Sequence, residues 1–529
     1  MNGKNYFTLL ALIGAISSAS AQNTQPSADE IFFRTQTKTI ASDEFGGRKP
    51  LTAYEDKTIR YIAGEFEKLG LRPGNGDSYF QRVPLLDVTT RAKGGFIPIT
   101  TRKGKIKLKE LEDVVIWSPQ TKEKVSLKNQ EFVFAGFGIH APEYGWDDYK
   151  DLDTKGKIVV VLVNDPGFYD TSLFQGHDMT YYGRWIYKFE EASRQGAAGI
   201  LVVHDTKPAS YPWNVVQASW AKNKEELVSD KGNQDQVLVK GWITKDKAEE
   251  LFASAGYTYE DLLKKALRKD FKSIPLHAKT SVTLNNKLIV GDSHNVAAVL
   301  PGTDLKDEYV IYTAHWDHFG IGKPVDGDSI YNGASDNASG IGALLTVAKK
   351  FTELDVKPRR SILFLAVTAE EAVLLGSQYY VEHPLVPIEK TVVNINFDGM
   401  APQPATNDLI LGAKGDSDTD DYVYVAAAAQ GRKVVTSQNN TGGGYFRSDH
   451  FSFAKVGIPV VLAKGGRDLK NPDAVRRNRN VYHQPADEYS DSWDVSGSLN
   501  DIYLNFAVGL SIANSDKRPQ WNRRILQGR

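Results

Sequence analysis

Apolar positions along this chain fall into three textures. In residues 27–70, Ile59, Ile62, Phe66 and Leu69 recur on one helical face, so this stretch reads as mostly helical, with Gly70 where a helix C-cap belongs. Residues 80–88 read as a strand. From roughly 132 to 277 short strands, glycines and aromatics take over. Residues 157–163 form a near-continuous β-branched run, as in a strand buried on both faces. Residues 189–195 read as helix, and Gly196-Ala197-Ala198-Gly199 leads into a strand at 200–203. The third texture, 295–514, alternates strands and helices as a mixed, mainly parallel α/β sheet does. Strands are expected at 309–314, 361–367 and 392–397. Ile341, Leu344, Leu345 and Ala348 mark an amphipathic helix over 340–351. No repeat of solenoid or propeller period is present. The expected fold is α/β, a mixed, mainly parallel sheet flanked by helices, with an inserted β-rich domain. The boundaries are 22–131 for the N-terminal part of the main domain, 132–285 for the insert, 286–514 for the rest of the main domain, and 515–529 for a polar, basic tail.

At 529 residues the chain is too long for one ordinary domain. Its 64 Lys and Arg against 65 Asp and Glu give no electrostatic footprint for nucleic acid or an anionic membrane, so any charge at a site is local. Residues 1–21 read as a secretory signal. Lys4 supplies the positive start, 7–16 the apolar core, and Ala19-Ser20-Ala21 a small-residue cleavage site before Gln22. The apolar run is too short to span a bilayer, so no stable membrane insertion is expected. Cysteine is absent. An exported protein without disulfides relies on core burial and bound metal, which fits a bacterial periplasm or culture medium. The sequons at Asn337 and Asn439 read as chance matches. Oligomeric state is not legible.

Five residues of metal-ligand type stand in five separate fragments: His315 in Ala314-His315-Trp316-Asp317, Asp336 in Ser335-Asp336-Asn337, Glu371 in Glu370-Glu371, Asp398 in Phe397-Asp398-Gly399, and His483 in Tyr482-His483-Gln484. Two His and three carboxylates without Cys suit a pair of zinc-like ions sharing one bridging carboxylate. His315, Glu371 and Asp398 each fall just past the end of an expected strand, the edge where open α/β sheets gather ligands. Asp336 opens a helix, where the positive dipole end favours a carboxylate. His483 lies on a late loop. Histidines elsewhere, His318, His383 and His450 among them, read as ordinary surface or core residues.

In this order the fragments resemble the co-catalytic zinc metallopeptidases of family M28, which are aminopeptidase-like exopeptidases. The resemblance covers 295–514, and Glu44 with Gly46-Gly47-Arg48 resembles the N-terminal part of that family. The insert resembles a protease-associated domain through 156–161 and 192–203. The resemblance implies the zinc exopeptidase fold, two Zn2+ ions and peptide substrates. Asp336 would bridge the ions, one also held by His315 and Asp398, the other by Glu371 and His483. Asp317 would accept from the His315 imidazole and fix its tautomer. Two cations roughly 3.5–4 Å apart lower the pKa of a shared water. Glu370 would be the general base, and Tyr445 in the glycine-rich 442–450 loop is a candidate hydroxyl donor to the oxyanion. A cis peptide between Asp336 and Asn337 is implied as well. An exported aminopeptidase is the leading expectation. The same scaffold also carries carboxypeptidases and dipeptidases, and Arg447 is of the type that recognises an α-carboxylate. A glutaminyl cyclase-like transferase resembles a single-zinc site. Receptor-like relatives have lost ligands, whereas all five ligands and Glu370 stand here.

Overall fold

The expected helical start divides into α1 (Ala28–Ile40) and α2 (Ala53–Lys68), joined through a short 3-10 segment, Asp43–Arg48. Ser27 caps α1 by accepting the Glu30 N–H at 3.1 Å. Gly70 follows α2 in the left-handed conformation expected of a C-terminal cap. This is a computed structural model describing residues 25–522 except 221, 413–415, 437–439 and 477–478. The expected signal segment 1–21, Asn439 of the second sequon and tail residues 523–529 lie outside the described residues.

Sixteen strands position the site: β1 (Phe80–Ala92), β2 (Phe96–Thr101), β3 (Gly104–Lys109), β4 (Val114–Trp117), β5 (Lys124–Phe134), β6 (Lys157–Leu162), β7 (Gly199–His204), β8 (Lys224–Leu227), β9 (Val239–Thr244), β10 (Ile274–Leu300), β11 (Leu305–His315), β12 (Arg360–Val367), β13 (Thr391–Phe397), β14 (Asp408–Gly412), β15 (Lys433–Thr436) and β16 (Val460–Gly465). The main sheet runs β1, β10, β12, β11, β13, β16, β14, β15. Its centre, β12-β11-β13-β16, is parallel, and β10 and β14 flank it antiparallel. This is the mixed, mainly parallel sheet expected. Alternate residues of its strands face two different cores. Val310, Tyr312, Phe364 and Ile395 pack under α1, α2, α4 (Ser339–Thr352) and α7 (Ser496–Asn514). Ile311, Leu363 and Leu365 pack under α5 (Leu375–Glu382) and α6 (His450–Lys455). Burial on both faces is why these strands read as continuous apolar runs rather than alternating ones.

The β-branched run at 157–163 is β6, sandwiched in parallel between β5 and β7. Next to it α3 (Trp185–Arg194) closes a separate aromatic core with Trp117, Phe189 and Trp242. Strand pairing carries this β-rich layer upstream of residue 132: β4 pairs with β9, and β2 and β5 pair with β10. The link between the layer and the main sheet is β10, 27 residues long. Its first half pairs with β2 and β5, its middle with β1, and its end with β12.

Candidate metal centre

The parallel centre of the sheet delivers its ligands at one edge. His315 is the last residue of β11, Asp398 immediately follows β13, and Glu370 and Glu371 sit on the turn leaving β12. Ala369 begins that turn at a positive φ of 51°, and Val373 and Leu374 at 80° and 64° complete it. A non-glycine left-handed run is uncommon, and here it reverses the chain so that both glutamates stay at the sheet edge. Asp336 lies in the turn before α4, and its peptide bond to Asn337 is cis, as the resemblance implied. His483 comes from the loop after the 3-10 turn Arg479–Val481.

These five residues, dispersed over some 170 positions of sequence, converge on the Asp336 carboxylate. Its Oδ1 lies 3.2 Å from His315 Nε2, which is also 3.8 Å from Asp398 Oδ1. Its Oδ2 lies 3.3 Å from His483 Nε2, which is 3.3 Å from Glu371 Oε2. Each oxygen of one carboxylate therefore faces a different histidine–carboxylate pair. Glu370 joins the first group: donor atoms of His315, Glu370 and Asp398 all lie within 4.8 Å of one another. His318 joins the second, within the same spread of Asp336 and Glu371, and its Nδ1–H donates to Glu371 Oε1 at 2.7 Å.

Backbone contacts hold these loops in place. The Asp317 carboxylate accepts the N–H groups of Glu370 at 3.0 Å and Glu371 at 3.3 Å. The His315 Nδ1–H donates at 3.2 Å to the Asp317 main-chain oxygen, while the Asp317 carboxylate is 3.7 Å away. The tautomer of His315 is thus fixed by the carbonyl of Asp317, and its carboxylate positions the two glutamates instead. Asp487 does the same for Asp336: its carboxylate accepts the N–H groups of Ser335 and Asp336 at 3.2 and 3.1 Å. Asn337 ties the Asp336 and Asp398 loops together, donating to Phe397 O and accepting from Gly399 N–H. It is fully buried, which removes it as a glycan acceptor, and Gly340 beside it leaves room that a Cβ would fill. Beneath the edge the buried Arg48 guanidinium donates to the carbonyls of Trp316, Ile40, Asn332 and Gly333, welding the N-terminal segment to the ligand loops.

The electrostatics are those of a site short of positive charge. Burial would raise the Asp336 carboxyl, but the imidazoles of His315 and His483 outweigh it and hold it well below the usual carboxylate range. Burial pushes the Glu370 carboxyl well above its ordinary value, against the pull of His315 and helped by Asp398, Glu371 and Asp449. Glu371 is raised for the same reason, opposed by His483 and aided by Asp336. Burial lowers His318 to about 4, so it stays neutral. Four crowded carboxylates, Asp336 buried and Glu370, Glu371 and Asp398 half-buried, with imidazoles aimed between them form a donor set that divalent cations would neutralise. The hard and borderline donors, N and O without thiolate, fit zinc.

Tyr445 is not drawn into this group. Its recorded ring contacts are with His450, Phe446 and Phe451, and its buried hydroxyl has no hydrogen-bond partner among the described residues. Another tyrosine, Tyr482, stands next to His483 in the chain and in space. Its ring stacks on that of His483, 3.7 Å between centroids. Partial burial and the nearby carboxylates of Asp336, Glu371, Glu370 and Asp398 raise that hydroxyl above its usual value. Sequence reasoning passed over Tyr482, His318 and Asp487, although each lay inside or next to a ligand fragment. Proximity to a ligand along the chain was the available signal.

Residues 295–507 match the sequence profile described as Peptidase family M28. Over that stretch the chain is similar to peptidase family M28. It is 35% identical to the aminopeptidase NAALADL1 of Mus musculus over 131 residues, 24% of this chain and 16% of that protein. It is 28% identical to the aminopeptidase YwaD of Bacillus subtilis (strain 168) over 334 residues, 61% of this chain and 57% of that protein. The chain thus spans less than two thirds of the length of either relative. The solved structure of an aminopeptidase from Aneurinibacillus sp. strain AM-1 superposes with a TM-score of 0.50 at 18% identity, covering 94% of this chain and 96% of that one. At that identity the likeness is one of fold, and it covers the M28 sheet and the β-rich layer together.

Proposed function

We propose that this chain is a two-zinc exopeptidase that removes N-terminal residues from peptides. The observation carrying this reading is the Asp336 carboxylate, whose two oxygens face the His315–Asp398 pair and the His483–Glu371 pair at 3.2 and 3.3 Å. His315 and Asp398 would hold one ion and His483 and Glu371 the other, with Asp336 shared. A zinc pair in that position lowers the pKa of a shared water and polarises the scissile carbonyl.

The chain's own residues supply the rest. Glu370 leaves Glu371 free to bind because neighbouring residues point in different directions, and its carboxylate takes the proton of the attacking water and returns it to the leaving amine. The Tyr482 hydroxyl, stacked against His483, donates to the developing oxyanion. Asp317 keeps both glutamates in register through their N–H groups. Action at the N-terminus is supported by the two relatives named above, both aminopeptidases. Arg447, the residue that pointed toward carboxypeptidases, donates from Nη2 to the Gly442 carbonyl within its own loop. Export rests on residues 1–21, and no helix among the described residues is long and apolar enough to cross a membrane. The insert at 132–285, joined by the strands of 96–131 that pair with it, is read as a protease-associated domain within the peptidase.

The test is hydrolysis of aminoacyl and N-blocked peptide substrates before and after exhaustive chelation. Aminoacyl substrates should be cleaved, chelation should abolish turnover, and zinc should restore it. Turnover that survives chelation, or cleavage of only the N-blocked peptides, would rule the reading out.

A further inference from the structure

A cleft of about 1290 Å³ runs between the metal-bearing edge and the β-rich layer, lined by Glu371, His483, Phe319 and Lys222 and, from the layer, Trp117 and Trp185. Several lysines line it, and most are already committed. Lys49 is paired with Asp87 at 3.2 Å and Glu225 at 3.5 Å, and Lys240 with Glu226 at 2.8 Å. Lys222 is different. It is exposed and has no carboxylate partner among the described residues, and its ammonium rests over two rings, those of Phe319 and Tyr331, each 5.5 Å from the nitrogen. Phe319 in turn packs edge-on against the ligand His483, 4.7 Å between ring centroids. Laid end to end, these distances put the ammonium within about 10 Å of the ligand imidazole, the reach of two to three extended residues.

A positive charge held over an aromatic shelf at this distance from the site of cleavage matches one feature of a short peptide: its C-terminal carboxylate. We propose that Lys222 binds the α-carboxylate of di- and tripeptides, so that the enzyme prefers short peptides with a free C-terminus. This rests on the aminopeptidase reading, in which the scissile carbonyl sits at the His315–His483 centre. In a dipeptide the carboxylate lies one residue beyond that carbonyl, and in a tripeptide two. Longer chains carry their carboxylate past Lys222. The aromatic rings keep the ammonium raised into the cleft without neutralising it. Lys323, on the neighbouring hairpin, also lines the cleft without an ion pair among the described residues, but no recorded contact ties it to a ligand.

The experiment compares kcat/KM for leucyl-alanine and leucyl-alaninamide with zinc-loaded enzyme. The free acid should be favoured roughly 10-fold, the size of one charge-assisted hydrogen bond. In Lys222→Gln the acid-to-amide ratio should fall toward one, Lys222→Arg should keep it, and Lys323→Gln should leave it as in the native enzyme. A native ratio near one, or a ratio kept in Lys222→Gln, overturns the subsite while leaving the aminopeptidase reading standing. Failure of the native enzyme to cleave either peptide overturns both.

Discussion

The metal-bearing edge and the β-rich layer that faces it handle buried charge in opposite ways. In the layer, charges are answered locally. Lys240 meets Glu226, the buried Lys188 ammonium donates to the carbonyls of Phe137 and Tyr182, and Asp148 and Asp165 accept backbone N–H groups. At the edge, Asp336, Glu370, Glu371 and Asp398 crowd together, and Arg48, the guanidinium beneath them, gives its hydrogen bonds to carbonyls. These charges of the layer find their partners within the fold. Those of the edge are arranged for something the fold does not contain, which is the physical signature of a ligand site.

The largest expected effect breaks the edge without touching its charge count for metal. Glu370→Gln should lower kcat by about 10²–10⁴-fold, the usual worth of a general base. Metal content by elemental analysis should be unchanged. Native turnover in this variant would move the base elsewhere. Next comes His483→Ala, which removes one of the two imidazoles aimed at Asp336. Zinc per chain should fall from two toward one, with activity falling alongside it; two retained ions would refute the pairing of His483 with Glu371.

The same contrast explains what was legible in the sequence. Parallel strands buried on both faces leave continuous apolar runs, so β11, β12 and β13 could be read, and with them the edge where His315, Glu371 and Asp398 gather. The grouping of Glu371 with His483 and of His315 with Asp398 followed from the family resemblance. The helpers were harder. Asp317 holds backbone N–H groups rather than an imidazole because the turn at Ala369 brings Glu370 and Glu371 back over it, and no spacing rule encodes that turn. Tyr445 stood out for its glycine-rich loop, whereas the tyrosine ring that stacks on His483 is that of Tyr482. The β-rich layer drew residues 96–131 into itself through pairings with β9 and β10, contacts more than a hundred positions apart that local pattern cannot register.

A smaller effect tests how the edge is supported. Arg48→Met should strip four buried carbonyls of their donor and cost about 3 kcal/mol, read as a lowered midpoint in denaturant. The loss should appear whether or not zinc is bound, because Arg48 donates to the loops and not to a ligand. A variant as stable as the native chain would mean that water replaces the guanidinium and that the N-terminal segment is not what fixes the ligand loops.

The smallest effect probes whether the two regions are separable at all. An ion pair joins them: Lys455 at the end of α6 meets Glu190 of α3 at 2.9 Å, with Tyr181 donating to the same carboxylate. Both side chains are a quarter to a third exposed, so a double-mutant cycle of Glu190→Gln and Lys455→Met should give a coupling of about 0.5–1 kcal/mol. Yet α6 begins at His450, directly after the loop whose Ser448 hydroxyl accepts from Asn396, two residues before Asp398. If the layer only packs against the edge, kcat should change less than twofold in both variants. A larger drop at unchanged stability would mean that α3 sets the position of that loop. The charge-satisfied layer would then be part of how the charge-poor edge is tuned.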